Sequence, residues 1–124
     1  MGLADSKGGR NMPDFSTPQS ALNALDVVLG TTAHNIANSS TDGYKAVRAD
    51  LETGLRGQGV RVGGIVGDMS PGPANMTAGM TEASNVDLSR EFARLNVTET
   101  AYSAVAASIR TMDELTGSIL NVKA

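Results

Sequence analysis

The chain of 124 residues is long enough for one domain, and a domain of that size buries only a modest core. Aromatic residues make up 3% of the sequence and tryptophan is absent, so few large side chains are available to fill such a core. The net charge of -3 comes from interspersed acidic and basic residues, which excludes the concentrated basic surface of a nucleic-acid-binding protein.

Cysteine, long apolar runs and a signal peptide are all missing from the sequence. The absence of cysteine excludes disulfides and thiolate metal sites. No run approaches the roughly 18 apolar residues of a membrane span, so we expect no membrane insertion. The N-terminus lacks the apolar segment of a cleaved signal peptide, so any site outside the cytoplasm would be reached by another route.

The first ordered element is a helix that follows a flexible tail at residues 1–16. Thr17 is the expected N-cap, with Pro18 at the first helical position, where its missing N–H costs nothing. The apolar positions recur at intervals of three and four residues and are Leu22, Leu25, Leu29, Thr32 and Ile36. This spacing predicts a helix that packs one narrow seam against a partner, because such a seam is too small to stabilise the helix alone.

A turn follows the helix and completes the segment 17–45. Asn38 is expected to end the helix with its side-chain amide bonded to nearby backbone. Gly43, in the dipeptide Asp42-Gly43, is expected to adopt a positive φ. Tyr44 and Lys45 follow the turn and are expected to begin the next ordered segment.

Residues 46–83 carry the weakest pattern. The alternation in Val60-Arg61-Val62, followed by Gly63-Gly64-Ile65-Val66, indicates a small β-hairpin in an otherwise irregular insert. The remainder is rich in Pro and Gly and is expected to form a loop.

The second helix occupies the segment 84–124 and is expected to begin near Ser84 or Asn85. Ser84 and Asp87 fit the spacing of a capping box. Its apolar positions are Leu88, Phe92, Leu95, Tyr102, Val105, Ile109, Met112, Leu115 and Ile119. The predicted fold is therefore mainly α, with two long terminal helices paired as an antiparallel coiled coil and joined by a short irregular or β-hairpin insert.

The sequence offers no catalytic, cofactor or metal site. His34 is the only histidine and has no neighbouring ligands, so a packed or solvent-facing role is favoured. The glycines between residues 54 and 67 match neither a dinucleotide-binding nor a phosphate-binding loop. Asp113-Glu114 is typical of a solvated helix surface. These patterns predict a protein that is not an enzyme.

Two segments at opposite ends of the chain resemble the bacterial flagellar axial proteins, the basal-body rod and hook family. The first contains the family pattern NIAN-x-x-T-x-G-[YF]-K, matched by Asn35, Ile36, Ala37, Asn38, Thr41, Gly43, Tyr44 and Lys45. The second, residues 84–123, resembles the C-terminal segment, with matches that include Ser84-Asn85-Val86-Asp87-Leu88 and Glu91-Phe92. Two such motifs in the family's order are far more specific than either alone.

The resemblance implies a structural subunit of the flagellar basal-body rod, which self-assembles through its terminal helices and contributes to motility. Its implied partners are copies of itself, other rod or hook subunits, and the flagellar type III export apparatus. It would reach the periplasm-spanning rod without a cleaved signal peptide. The short insert and the small size favour a small rod-type subunit over the larger hook and distal rod proteins.

Two groups of residues receive roles from this comparison. The subunit-packing residues are expected to be Leu22, Leu25, Leu29, Ile36, Leu88, Phe92, Leu95, Tyr102, Ile109 and Met112. The turn motif comprises Asn35, Asn38, Thr41, Gly43, Tyr44 and Lys45. Within it, Tyr44 and Lys45 are expected to contact an adjacent subunit rather than their own chain. An alternative function is a small helical-hairpin interaction or adaptor protein that is not part of the axial tube.

Overall fold

A computed structural model describes residues 14–75 and 81–123, so most of the predicted tail at 1–16 lies outside the described residues. In chain order the elements are α1 (Ser16–Ala37), β1 (Val47–Thr53), β2 (Val60–Gly67), β3 (Ala74–Asn75), β4 (Thr81–Glu82) and α2 (Leu88–Lys123). A short 3-10 turn, Leu55–Gly57, forms the tip between β1 and β2.

The start of α1 differs from the prediction. The helix begins at Ser16 with Phe15 at the N-cap, so Thr17 is not the cap and Pro18 is the third helical residue. The Asp14 carboxylate accepts the Ser16 N–H at 2.9 Å in place of a Thr17 cap. Proline is tolerated here because the first four helical N–H groups have no partner within the helix.

The end of α1 follows the prediction. Asn38 is the C-cap, and its Nδ2 donates to the His34 carbonyl oxygen at 2.9 Å. The Thr41 hydroxyl donates to Asn38 Oδ1 at 3.1 Å, which holds the turn against the cap. Gly43 has φ +75°, as expected, and its N–H donates to the Glu82 carbonyl oxygen at 2.7 Å.

The hairpin is larger than predicted. β1 and β2 pair antiparallel from Val47 opposite Gly67 to Thr53 opposite Val60. Val60-Arg61-Val62 and Gly63-Gly64-Ile65-Val66, which were predicted as two extended pieces, form one strand. The register shifts between Asp50 and Leu51, so Gly63 is the extra residue of a β-bulge. A Cβ at Gly63 would lie 2.8 Å from the Glu52 carboxyl carbon, the mobile end of an exposed side chain, so a larger residue would displace the Glu52 carboxylate.

The hairpin lies along α1. At one end the Val60 N–H donates to the Ser20 hydroxyl at 3.1 Å, and at the other Asn35 bonds Val47. The fifteen residues from Ser20 to Asn35 rise about 22 Å, and the seven residues of β1 span about 23 Å. The hairpin therefore matches the helix in length and covers one of its sides.

The connector after β2 contains one more pairing. Ala74 lies opposite Glu82 in the short β3–β4 ladder, where the sequence predicted only a loop. Residues 76–80, between these strands, lie outside the described residues.

The start of α2 also differs from the prediction. The helix begins at Leu88, and Asp87 is the residue that caps it, with Oδ1 accepting the Arg90 N–H at 3.3 Å. Ser84 instead closes a separate turn by accepting the Val86 N–H at 3.1 Å. The Asn85 side chain bonds backbone groups of the neighbouring loops. Ser84 and Asn85 therefore both make hydrogen bonds outside α2, and neither caps it.

The two long helices are in contact, and the fold is mainly helical, as predicted. The last turn of α1 meets the first turn of α2, so the two run in opposite directions. The 22 residues of α1 span about 33 Å and the 36 residues of α2 span about 54 Å. The last turns of α2 therefore extend beyond the start of α1.

The interior is mostly polar. Among the described residues the buried positions are Ala24, Thr31, Thr32, Asn35, Ser84, Glu91 and Thr98. The predicted α1 seam is half-buried at Leu22, Leu25, Leu29 and Ile36. On α2 the half-buried predicted positions are Leu95, Tyr102, Val105, Ile109 and Met112. The apolar positions at the two ends of α2, Leu88, Phe92, Leu115 and Ile119, are exposed in the single chain.

Neither helix has the length and apolarity that a membrane crossing requires, within the residues described.

We predict that Thr32→Val stabilises the protein. Thr32 is fully buried and its hydroxyl has no hydrogen-bond partner among the described residues. Replacing it with a methyl group removes an unpaired polar atom, and the gain in free energy of unfolding should be about 1 kcal/mol. Chemical unfolding followed by circular dichroism measures it.

Thr98→Val is the matched control. Thr98 is also buried, but its hydroxyl donates to the Arg94 carbonyl oxygen at 2.7 Å, so its loss should not stabilise the fold. Equal shifts for the two variants would contradict the assignment of Thr32 as unpaired.

Candidate functional site

The most densely bonded part of the molecule is the place where α1, the turn after it, the hairpin and the start of α2 meet. We call it the junction, and its side chains are Asn35, Tyr44, Lys45, Glu82, Asn85 and Glu91. These residues come from five separate stretches of the chain.

The Asn35 side chain is the centre of the junction. It is 1% exposed. Its Nδ2 donates to the Val47 carbonyl oxygen at 2.7 Å and to Glu91 Oε2 at 3.2 Å. Its Oδ1 accepts the Val47 N–H and the Tyr44 hydroxyl, both at 2.9 Å. The amide thus uses both donors and both acceptor positions, and it ties α1 to the turn, to β1 and to α2.

Glu91 is the partner that α2 contributes. Its side chain is buried, with one oxygen bonded to Asn35 and the other accepting from Arg94 at 3.1 Å. Burial raises the pKa of Tyr44, and the negative charge of Glu91 raises it further. Tyr44 is therefore held in the neutral form that donates to Asn35. Its ring also meets the exposed His34 ring edge-on, with centroids 5.6 Å apart.

Asn85 joins the turn to the connector before α2. Its Oδ1 accepts the Ala46 N–H at 2.7 Å. Its Nδ2 donates to the carbonyl oxygens of Asp68 at 2.7 Å and Ser70 at 2.9 Å. The Asn85 N–H donates to the Tyr44 carbonyl oxygen at 3.2 Å. Asn85, the second asparagine of the junction, therefore supplies hydrogen-bond partners to backbone groups that are not paired within a β-sheet.

Lys45 and Glu82 form an ion pair at the edge of the junction. Lys45 Nζ also donates to the Ser70 carbonyl oxygen at 3.0 Å, and the Glu82 carboxylate also accepts the Gly72 N–H. The hydrogen bond from Lys45, followed by that from Gly72, holds the pKa of Glu82 below its ordinary range. The pair fastens the connector to the residue that follows Tyr44.

The partners of Tyr44 and Lys45 correct the prediction made from the resemblance. Both side chains were expected to contact an adjacent subunit rather than their own chain, but they bond Asn35, Glu82 and Ser70 of their own chain. The Gly43 N–H donates to the Glu82 carbonyl oxygen, and this bond orients the turn so that the Tyr44 and Lys45 side chains face their own chain. The turn motif thus stabilises the fold of its own subunit.

The structure brings the whole turn motif together at this place, whereas the expected subunit-packing residues are spread along the helices. Leu88 and Phe92 lie beside the junction and are exposed on 42% and 50% of their surface. The remaining packing residues are half-buried along α1 and α2.

Three junction residues were not predicted in the roles that they have. Glu91 appeared only as a match in the family resemblance, Asn85 only as such a match and as a possible start of the second helix, and Glu82 was not singled out. Ser20, which bonds the hairpin at Val60, was not predicted either. An apolar period cannot identify buried polar groups, because it records only the apolar positions. The capping-type residues Ser84 and Asn85 were the one local signal, and Asn85 serves a different backbone.

The junction has the chemistry of a structural joint. Its carboxylates are each paired with a cation or an amide donor, and within the described residues no group of three potential metal ligands occurs. A cavity of about 80 Å³ beside it is lined by Arg48, Arg90, Arg94 and three acidic residues.

Two protein families match the chain at the segments that the junction joins. The family described as flagella basal body rod protein matches residues 15–45. The family described as flagellar basal body rod FlgEFG protein C-terminal matches residues 77–122. Together the two segments cover more than half of the chain, and both contribute side chains to the junction.

Individual relatives are flagellar hook proteins. The flagellar hook protein FlgE of Escherichia coli (strain K12) is 28% identical over 115 residues, which cover 93% of this chain and 26% of the relative. FlgE of Salmonella typhimurium (strain LT2) is 30% identical over 102 residues, which cover 82% of this chain and 24% of the relative. The chain spans about a quarter of the length of the curated relatives it matches.

We predict that Asn35→Ala lowers the free energy of unfolding by at least about 3 kcal/mol, because it leaves several buried groups without partners. Asn35→Asp should be as damaging although it keeps the size, since a second oxygen cannot donate to Val47 and faces Glu91. Asn96→Ala, at an exposed position of α2, is the control and should stay within about 0.5 kcal/mol of wild type. A mild effect of Asn35→Asp would show that shape rather than hydrogen bonding holds the junction.

We predict that the Lys45–Glu82 pair opens only in acid. The pKa of Glu82 is lowered in the folded state, so the stabilisation is complete above the ordinary carboxyl range near about pH 4 and is lost as the pH falls through the lowered value. The amide resonance of Gly72, followed by NMR during titration, should report this transition. Glu82→Gln should abolish it, and a Gly72 transition that persists in that variant would refute the assignment.

Proposed function

The chain belongs to the flagellar basal-body rod and hook protein family, and from that premise we propose that it is a structural subunit of the basal-body rod. The family is one of axial subunits that assemble with each other, and the chain is not an enzyme. In the proposed role it joins copies of itself and other rod or hook subunits, and so contributes to motility.

The observation that carries the proposal is the bond between the two family segments. Asn35 lies in the N-terminal segment and Glu91 in the C-terminal one, and they meet across 56 residues of sequence. The junction fixes the two helices side by side as one elongated unit. A unit of this shape, with α2 about 54 Å long, suits the wall of an axial tube better than a compact adaptor.

The exposed apolar side chains support assembly through the helices. On α2 they include Leu88, Phe92, Val97, Leu115 and Ile119. Ala24 is the one apolar residue buried among those described. A subunit with so little apolar core gains its stability from neighbours. The half-buried Leu29 and Ile109 belong to the set that we propose packs between subunits.

The short insert supports a rod position over a hook position. The two family segments end at residue 45 and begin again at residue 77. The intervening residues build only the hairpin and part of the connector, whereas the hook relatives are about three and a half times as long as the chain. An outer domain would have to lie between these segments.

Export through the flagellar apparatus is also part of the proposal. A chain with a thin core and no disulfides costs little to unfold and can pass a narrow channel as an extended polypeptide. The rod of the basal body crosses the periplasm, so such a route places the subunit there without insertion into a membrane.

Recovery with detergent-washed basal bodies tests the function directly. The wild-type chain should be retained in washed basal bodies from motile cells and detected there by immunoblot. Recovery only in the soluble cytoplasmic fraction would contradict the proposal and favour an adaptor.

We predict that Leu29→Asp or Ile109→Asp prevents assembly. Each places an unpaired charge in a half-buried helix surface, at a cost of several kcal/mol per subunit that recurs at every copy. The variant should be found in the secreted fraction but not in basal bodies, and the cells should be non-motile. Asn96→Asp, which changes an exposed polar position of α2, is the control and should assemble. Normal motility with both seam variants would show that these surfaces are not buried in the rod.

A further inference from the structure

Each long helix has a second face that the described residues leave uncovered. On α1 one set of exposed positions recurs at four and three residues: Gln19, Asn23, Asp26, Gly30, Ala33 and Ala37. On α2 a corresponding set of exposed positions is Ala93, Val97, Ala104, Ser108, Thr111 and Leu115. We call these the α1 outer face and the α2 outer face. Both spacings are those of a helix seam.

The α2 outer face has the character of a contact surface. None of its six residues is charged, although the chain as a whole is 19% charged. Val97 is 69% exposed and Leu115 is 58% exposed. The charged residues of the same stretch, Arg94, Glu99, Arg110, Asp113 and Glu114, occupy other positions of the helix. An uncharged helix surface several turns long that carries exposed apolar side chains is unusual unless something covers it.

Gly30 is an independent observation on the α1 outer face. A glycine inside a helix costs about 1 kcal/mol relative to alanine. Within the described residues, nothing lies within 4 Å of the position that a Cβ at Gly30 would occupy. No contact in its own chain therefore requires the glycine. Together with Ala33 and Ala37, one and two turns further on, it leaves a shallow hollow suited to close approach of another helix.

The two features lie at the same height along the molecule. Asn35 and Glu91 are hydrogen-bonded and mark a common level on the antiparallel helices. Gly30 precedes Asn35 by five residues, about 7.5 Å, and Val97 follows Glu91 by six, about 9 Å. A neighbouring copy in the same orientation, without axial displacement, would therefore bring its Gly30 opposite Val97. Ala33 would come opposite Ala93 in the same way.

We propose that the α2 outer face of one copy packs antiparallel against the α1 outer face of the next copy, with Val97 seated over Gly30. The inference rests on the proposed rod function. It specifies which surfaces of the two-helix unit meet. The contact is heterologous, because different faces of the two copies take part, and it therefore builds a ring or an open helical array rather than a closed pair.

The size of the contact agrees with an array. A face about 33 Å long and about 10 Å wide is well below the roughly 800 Å² per partner of a stable two-body interface. One such contact does not hold a dimer together in dilute solution. In an array each copy makes it twice, once through α1 and once through α2, so assembled structures are the place to measure it.

A size exchange within the full chain tests the contact. Gly30→Leu fills the hollow without weakening the helix, since leucine is the better helix former. Overpacking destabilises the contact, and each copy makes the contact twice, so the amount retained in washed basal bodies should fall by about tenfold or more. Gly30→Leu combined with Val97→Ala restores the space and should restore incorporation. Gly117→Leu is the matched control, because Gly117 is also helical and open but is absent from the outer faces.

The outcomes separate this contact from the rod assignment. Depletion of Gly30→Leu, rescue by Val97→Ala and normal incorporation of Gly117→Leu support the contact. Wild-type incorporation of Gly30→Leu, or failure of Val97→Ala to rescue it, overturns the contact and leaves the rod function standing. Absence of the wild-type chain from basal bodies overturns the rod function and this contact with it.

Discussion

The four hydrogen bonds of the Asn35 amide are the constraint on which the rest of the structure depends. They join the last turn of α1 to Tyr44, to both backbone groups of Val47 and to Glu91 of α2. The amide is buried, so each bond forms away from water, where an unpaired partner would be costly. One side chain thereby fixes where the turn ends, where β1 begins and how α2 meets α1.

The polar junction has a consequence for assembly. Buried threonines, asparagine and glutamate specify the relative placement of the helices, but they contribute little of the apolar burial that drives folding. Much of the apolar surface of α2, including Val97 and Leu115, remains exposed. The junction therefore sets the shape of the single subunit, and burial of the exposed apolar surface on assembly stabilises it. That division suits members of a family of axial subunits.

The helices could be predicted from the sequence, whereas the contacts that organise them could not. The spacing of Leu25, Leu29 and Ile36 predicts a helix, because the periodicity of apolar residues depends only on the local sequence. The start of α2 was misplaced because Ser84 and Asp87 are both good caps, and the choice depends on distant loops that occupy Asn85. The Lys45–Glu82 pair spans 37 residues, and no local pattern reports such a pair. No local pattern identified Asn35 as the residue that joins α1 to α2.

Amide hydrogen exchange at Val47 tests most directly whether the junction holds the subunit together. The Val47 N–H is bonded to the Asn35 side chain and not to a strand, so its protection reports the junction alone. We predict that the Val47 amide exchanges as slowly as the most protected amides in the middle of α1, through the same opening of the whole fold. Exchange of Val47 as fast as that of Gln58 at the exposed hairpin tip would contradict it.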